Sequence, residues 1–266
     1  MKKKLSIKLL SIIGISCLMA CQQEDIQPND PPTDPNNPSQ SHLNPNLTYG
    51  SVTDIEGNTY ATIQIGTQTW MAENLRTSKY CNGEDITNVI SSGQWSQITG
   101  EDYGGLSTPA QSSHNNDSQF DYPYGKLYNW FTVDDARNIC PCGWHVPSIE
   151  EWIELVDFLG NFSISGDKMK SQATGHWMLD QVTGDNSSGF SALPNGWRIS
   201  GTGQFYINNV SAFYWSSSIY DNINNILSPK TIQIYANNNE GVLGADPFDP
   251  KGQAPGNGLA IRCIKD

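Results

Sequence analysis

Four cysteines between residues 81 and 263 limit the fold of this 266-residue chain, because each disulfide among them would hold two distant segments side by side. They are Cys81, Cys140, Cys142 and Cys263. Four thiols allow three pairings. A zinc half-site is an alternative, since His145 follows Cys142 closely. Zinc-binding cysteines are usually separated by at least two residues, whereas only Pro141 stands between Cys140 and Cys142, which favours disulfides.

The amino-terminal residues 1–20 have the pattern of an export signal. Three lysines precede an apolar stretch over residues 5–18, and Leu18-Met19-Ala20-Cys21 resembles the cleavage motif of a bacterial lipoprotein. We expect cleavage before Cys21 and attachment of a diacylglycerol to its thiol, which would hold the protein to a lipid bilayer. The apolar stretch is shorter than the roughly 20 residues of a membrane-spanning helix. Export places the domain cysteines where two disulfides are expected to form.

Charge and composition divide the exported chain into a linker and a domain. The leader carries four lysines, so the remaining chain has 11 basic and 27 acidic residues, a net charge of −16. Because nucleic-acid binding needs clustered Lys and Arg, no nucleic-acid partner is expected. Residues 21–48 are rich in Pro, Asn, Gln, Asp and Ser, which predicts a disordered linker before a domain over residues 49–266.

Residues 22–25 read Gln-Gln-Glu-Asp directly after the lipid site. This acidic run resembles the signal that sends lipoproteins of Bacteroidetes-like bacteria to the outer face of the outer membrane. A lipid-anchored location at the cell surface is therefore expected, and a polar start to the linker is the alternative.

Local patterns predict a mixed α+β domain. Residues 59–65 alternate polar and apolar side chains, and Gly66 turns the chain towards Trp70, which predicts a β-hairpin. Ser148 and Glu151 form a capping box before an apolar stripe that ends at Gly160, which predicts a helix. A shorter helix is predicted over residues 134–138. Further strands are predicted over residues 189–193, 213–215, 231–235 and 259–263.

Six motifs in a fixed order carry a family resemblance. They are Trp70-Met71-Ala72-Glu73-Asn74-Leu75, Gly125-Lys126-Leu127-Tyr128-Asn129-Trp130, Cys142-Gly143-Trp144-His145-Val146-Pro147-Ser148, Ser188-Gly189-Phe190-Ser191-Ala192-Leu193-Pro194-Asn195-Gly196-Trp197-Arg198, Tyr214-Trp215-Ser216-Ser217-Ser218 and Ile261-Arg262-Cys263-Ile264-Lys265-Asp266. This series resembles the FISUMP family, the major paralogous domain of fibrobacter-type bacteria, over about residues 50–266.

The resemblance implies the fold of the wider C-type lectin-like group, which also includes formylglycine-generating enzymes. That fold is a compact α+β domain with antiparallel strands, first and last strands side by side, two flanking helices and long loops. Such proteins mostly act in binding, so a non-catalytic module for a glycan or protein ligand is expected. A structural subunit of a surface assembly or adhesin is the first alternative. A cysteine-dependent oxidase is the second, since the formylglycine-generating relatives use reactive cysteines.

The family pattern also bears on the cysteines. Most relatives have one cysteine before the Gly-Trp pair, whereas this chain has Cys140 and Cys142, and Cys81 looks like a further addition. The resemblance implies that Cys140 pairs with Cys263 and that the two additions, Cys81 and Cys142, pair with each other. Pairing of Cys142 with Cys263 and of Cys81 with Cys140 stays open.

Two polar loops supply the predicted ligand-binding residues, because lectin-like domains bind ligands through this region. The residues are Asp221, Asn222, Asn224, Asn237, Asn238 and Glu240. Amides satisfy sugar hydroxyls, and carboxylates with carbonyls suit Ca²⁺, which makes Ca²⁺ the one candidate cofactor. The sugar-binding Glu-Pro-Asn and Gln-Pro-Asp triplets of animal lectins are absent from the sequence.

The remaining notable side chains are expected to be structural, and none of the common hydrolase or phosphate-binding motifs is present. His145 is expected to be held by hydrogen bonds, and Arg198 and Arg262 to pair with buried carboxylates. Five tryptophans of the motifs are expected to fill the core, namely Trp130, Trp144, Trp152, Trp197 and Trp215.

Overall fold

A computed structural model describes residues 42–97, 105–172, 176–177, 184–206, 209–220, 227–236 and 253–266. The strands in these ranges are β1 (Gly50–Thr53), β2 (Thr59–Ile65), β3 (Gln68–Met71), β4 (Gln111–Ser112), β5 (Leu127–Tyr128), β6 (Trp144–His145), β7 (Trp197–Arg198), β8 (Phe205–Tyr206), β9 (Ser211–Ile219), β10 (Pro229–Tyr235) and β11 (Ile264–Lys265). The α-helices are α1 (Ser92–Trp95), α2 (Asp121–Tyr124), α3 (Trp130–Val133), α4 (Ile149–Leu159) and α5 (Phe162–Met169). None of the helices in the described ranges is long and apolar enough to span a bilayer.

The largest sheet has the order β1-β2-β3-β11-β6 and is antiparallel throughout. The predicted hairpin is confirmed, with Ile63 of β2 opposite Trp70 of β3. The last strand lies inside this sheet, since Ile264 of β11 is opposite both Trp70 and His145. The expectation that the first and last strands lie side by side is wrong, because β2 and β3 separate β1 from β11. The chain is thus α+β with antiparallel strands, as expected.

Two apolar cores share the strands that run between them. Ala212 and Tyr214 of β9 lie in the first core, whereas Phe213 and Trp215 lie in the second. Successive side chains of a strand point to opposite faces, so β9 contributes to both cores in alternation. Trp70 and Met71 of β3 divide in the same way.

Helix α4 closes the first core and confirms the predicted helix. The Ser148 side chain accepts from the Glu151 N–H, and the Glu151 side chain accepts from the Ser148 N–H, completing the capping box. Gly160 follows with a φ of 126°, which favours glycine. Trp152 is fully buried, and its ring centre lies 4.6 Å from that of Trp70, so the helix packs on β3.

Three other predicted elements are absent from the described chain. Residues 134–138 form turns rather than a helix, because α3 ends at Val133 and Asp135 bonds Arg137 instead. Residues 189–193 are not a strand, since Ser191 has a φ of 58° that interrupts an extended chain. Residues 259–263 make only isolated bridges, and the final strand begins at Ile264.

Residues 42–48, which the sequence analysis assigned to the linker, pack against the domain. His42 is only 2% exposed, and its carbonyl accepts from the Ser171 hydroxyl at 2.7 Å. The Asn44 side chain donates to the Asn186 carbonyl at 3.0 Å. The packed chain therefore includes this segment ahead of β1.

Candidate functional site

The six ligand-binding residues predicted from the loops lie outside the described residues. They are Asp221, Asn222, Asn224, Asn237, Asn238 and Glu240. The described residues next to them show where each loop leaves the fold. The backbone N–H of Tyr220 donates to the Ser228 carbonyl beside the start of β10, whereas Ala236 follows the end of β10. At about 3.3 Å per residue, Ser228 and Ala236 lie about 26 Å apart.

The four domain cysteines form two disulfides, and their pairing is the one that the family resemblance implies. Cys140 pairs with Cys263, with 6.0 Å between their Cα atoms, and Cys81 pairs with Cys142, at 5.5 Å. The zinc alternative is therefore wrong, since both of its sulfurs are bonded to other sulfurs. Groups of three or more His, Cys, Asp or Glu that could hold a metal are absent from the described ranges.

A polar cleft of about 670 Å³ lies beside the β1–β2 turn. The segment after β3, the bridge residues near 85–88, strand β4 and Lys126 form its walls. The lining residues that carry the argument below are Glu56, Arg76, Asp85, Asn88, Gln111 and Lys126. A volume in this range accommodates a small ligand.

Gln111 is the most unusual residue of this cleft. Its backbone is fixed on both sides, because its N–H donates to the Thr87 carbonyl and its carbonyl accepts from the Val89 N–H. The residue is only 2% exposed, yet its Oε1 has no hydrogen-bond partner within the described chain. A buried amide oxygen without a partner costs about 1–3 kcal/mol, which a hydrogen-bonding ligand would recover.

Two cations in the cleft are held in fixed orientations. The Arg76 guanidinium lies 4.4 Å from the centre of the Tyr60 ring and donates to the Thr59 carbonyl at 2.6 Å. The Lys126 ammonium lies 2.8 Å from an Asp121 carboxylate oxygen and 3.2 Å from the Ser113 hydroxyl. Both positive groups are thus positioned in advance of any ligand.

Two carboxylates balance these cations. Glu56 accepts from both the N–H and the hydroxyl of Ser78, and from the Thr77 hydroxyl at 3.0 Å. Burial alone would raise the pKa of Glu56, but these hydrogen bonds outweigh it and lower the pKa below its usual value. Asp85 is paired with Lys79. The lining therefore has no formal net charge although the chain is strongly acidic.

The structural roles expected for the motif residues are confirmed in part. Trp130, Trp144, Trp152 and Trp215 are buried, whereas Trp197 is half-buried. His145 lies between two carboxylates, with Nδ1 2.7 Å from Asp266 and Nε2 2.9 Å from Glu151.

The prediction that Arg198 and Arg262 pair with buried carboxylates is wrong. Arg262 donates to the carbonyls of Met71, Phe190 and Ser191 and to the Asn74 side chain. Arg198 likewise donates to the carbonyls of Val89, Ile90 and Gly203. Both guanidiniums thus donate to backbone carbonyls rather than to carboxylates.

Sequence reasoning missed the cleft, because its residues come from five separate stretches of chain. Lys126 stands inside one of the six motifs and Arg76 directly follows another, and this was the available signal. Gln111 lies in a two-residue strand with no motif around it.

The family comparison matches residues 63–265 to the family described as the Fibrobacter succinogenes major domain. The matched range contains five of the six motifs whole and all of the sixth except Asp266. Neither a curated protein nor a solved structure matches the chain.

Proposed function

The chain belongs to the Fibrobacter succinogenes major domain family, and on that premise we propose that it is a non-catalytic binding module for a glycan or protein ligand. Lipid on Cys21 would hold it to the outer membrane, with the domain displayed at the cell surface. We also propose that the fold belongs to the C-type lectin-like group. The order of the motifs and the antiparallel α+β architecture support that assignment.

The observation that carries the binding proposal is the unpartnered Oε1 of Gln111, a residue that lines a cleft of balanced charge. Balanced cations and carboxylates oppose a strongly charged ligand, whereas amides and hydroxyls match the alternating donors and acceptors of a sugar. A glycan is therefore the favoured ligand class. The polar loops that begin after Tyr220 and Ala236 would provide a second contact region, with Ca²⁺ as its candidate ion.

A glycan-array and pull-down screen of the purified protein, repeated with Gln111→Leu, tests the cleft. Loss of one hydrogen bond from a buried amide should weaken ligand binding about tenfold. The thermal midpoint should stay equal or rise, because the variant removes an unsatisfied buried polar group. Gln64→Leu is the matched control, since Gln64 is exposed on β2 outside the cleft, and it should leave binding unchanged.

The proposal divides into parts that fail separately. Equal binding by Gln111→Leu and the parent protein would remove the cleft from the binding site. Loss of binding only on alanine substitution of Asp221, Asn222 and Asn224, or only on calcium chelation, would move the site to the loops. Absence of fatty-acid label on Cys21 in cells would refute the anchor and leave ligand binding untouched.

A further inference from the structure

The two disulfides differ sharply in exposure. Cys140 and Cys263 are 1% and 0% exposed and belong to the second core. Cys142 is exposed and Cys81 is half-buried. Because thiol–disulfide exchange requires direct approach of a thiolate to a sulfur atom, only the Cys81–Cys142 bond is open to attack in the folded protein.

The segment that carries Cys81 is held by contacts other than the disulfide. The Tyr80 N–H donates to the Glu84 carbonyl at 2.9 Å, and the Cys81 N–H donates to the Asn138 carbonyl at 2.8 Å. Tyr80 is fully buried beneath the Arg137 guanidinium, which lies 4.1 Å from its ring centre and 2.7 Å from a Glu84 oxygen. Cleavage of the sulfur–sulfur bond therefore leaves this segment in place.

A small cavity lies beside the exposed disulfide. Its volume is about 170 Å³, and Thr53, Ile55 and Lys79 line it together with Cys81 and Cys142. That space accommodates part of the substituent of a small thiol.

We infer that Cys81–Cys142 is an exchangeable disulfide through which a low-molecular-weight thiol attaches covalently to the folded protein. The incoming thiol loses its proton, and its sulfur bonds to the exposed Sγ of Cys142. The bond between Cys142 and Cys81 breaks, the electron pair leaves with the Cys81 sulfur, and that sulfur takes up a proton. One disulfide replaces another: the sulfur of the incoming thiol is oxidised, the Cys81 sulfur is reduced, and no further oxidant or reductant is needed. This site is independent of the proposed ligand cleft.

Reaction of the native full-length protein with reduced glutathione, followed by alkylation and peptide mass spectrometry, tests the inference. We expect glutathione on Cys142, an alkylated thiol at Cys81 and an intact Cys140–Cys263 bond. The exposed bond should react more than about tenfold faster than the buried one. In denaturant the two bonds should react at similar rates, which links the difference to the fold.

Two results would overturn the inference. One is a native protein that forms no glutathione adduct, and the other is equal reaction of both disulfides in native buffer, which would mean that exchange follows unfolding. The double variant Cys81→Ser, Cys142→Ser provides the matched control and should form no adduct within the domain. Near-ultraviolet circular dichroism of the wild-type adduct reports directly whether the fold persists, independently of how the variant folds.

Discussion

At the scale of single residues, Arg262 shows what the sequence does not reveal. The expected partner was a carboxylate, yet the guanidinium joins carbonyls of Met71, Phe190 and Ser191. Burial lowers its pKa, and the Phe190 ring lies 4.5 Å from the guanidinium carbon. Phe190 and Ser191 lie in irregular chain, which has no periodic pattern from which such a partner can be predicted.

Arg262→Leu should reduce the free energy of unfolding by about 3–5 kcal/mol, because it leaves several buried carbonyls without donors. Arg262→Lys should recover only part of this loss, since an ammonium lacks the planar fork that reaches several carbonyls at once. Urea denaturation measures both values. Lys265→Leu is the control, because Lys265 is exposed. A loss below about 1 kcal/mol in Arg262→Leu would contradict this assignment.

At the scale of elements, local signals succeeded where the pattern was complete within a few residues. The β2–β3 hairpin and helix α4 were predicted because alternation, a capping box and a terminal glycine are all local. Strands of two residues, such as β4 and β11, were missed, since only distant partners make them strands. The cleft was not predicted for the same reason, because the two-residue strand β4 positions Gln111 there.

Ser148→Ala should cost about 1 kcal/mol of unfolding free energy, since it removes the side chain that caps helix α4. Thermal denaturation measures the change. Ser163→Ala is the matched control, because Ser163 is exposed within helix α5 and caps nothing there. An equal effect of the two substitutions would mean that the cap contributes nothing beyond helix propensity.

At the scale of the whole molecule, buried histidines make stability depend on pH. Burial lowers the pKa of His42 to about 3 and that of His114 to about 4. In the unfolded chain both histidines bind protons near pH 6.5. The contribution of the neutral histidines to the free energy of unfolding is therefore complete above that pH and is lost as pH falls towards 4. For each histidine, protonation of the unfolded chain should lower the free energy of unfolding by about 2 kcal/mol at pH 5.

His114→Gln should therefore reduce the loss of unfolding free energy between pH 7 and pH 5, because glutamine does not titrate. Urea denaturation at the two pH values measures this loss.

His145→Gln should act in the opposite direction. Burial alone would lower the pKa of His145, but its hydrogen bonds to the Asp266 and Glu151 carboxylates raise it. Its stabilisation is present below pH 6.5 and is lost as pH rises. Parallel profiles for all three proteins would refute both assignments.

The order of the two disulfides along the chain sets how far the protein extends under mechanical load. A force applied to both ends is transmitted through the disulfide from Cys81 directly to Cys142, and through the other from Cys140 directly to Cys263. Within the described residues, about 40 residues from His42 to Cys81 precede the first disulfide, and at about 3.6 Å each they release about 140 Å. A chain of about 225 free residues would release about 800 Å. Shear on a tethered molecule would thus draw out its leading segment and stop at the first covalent clamp.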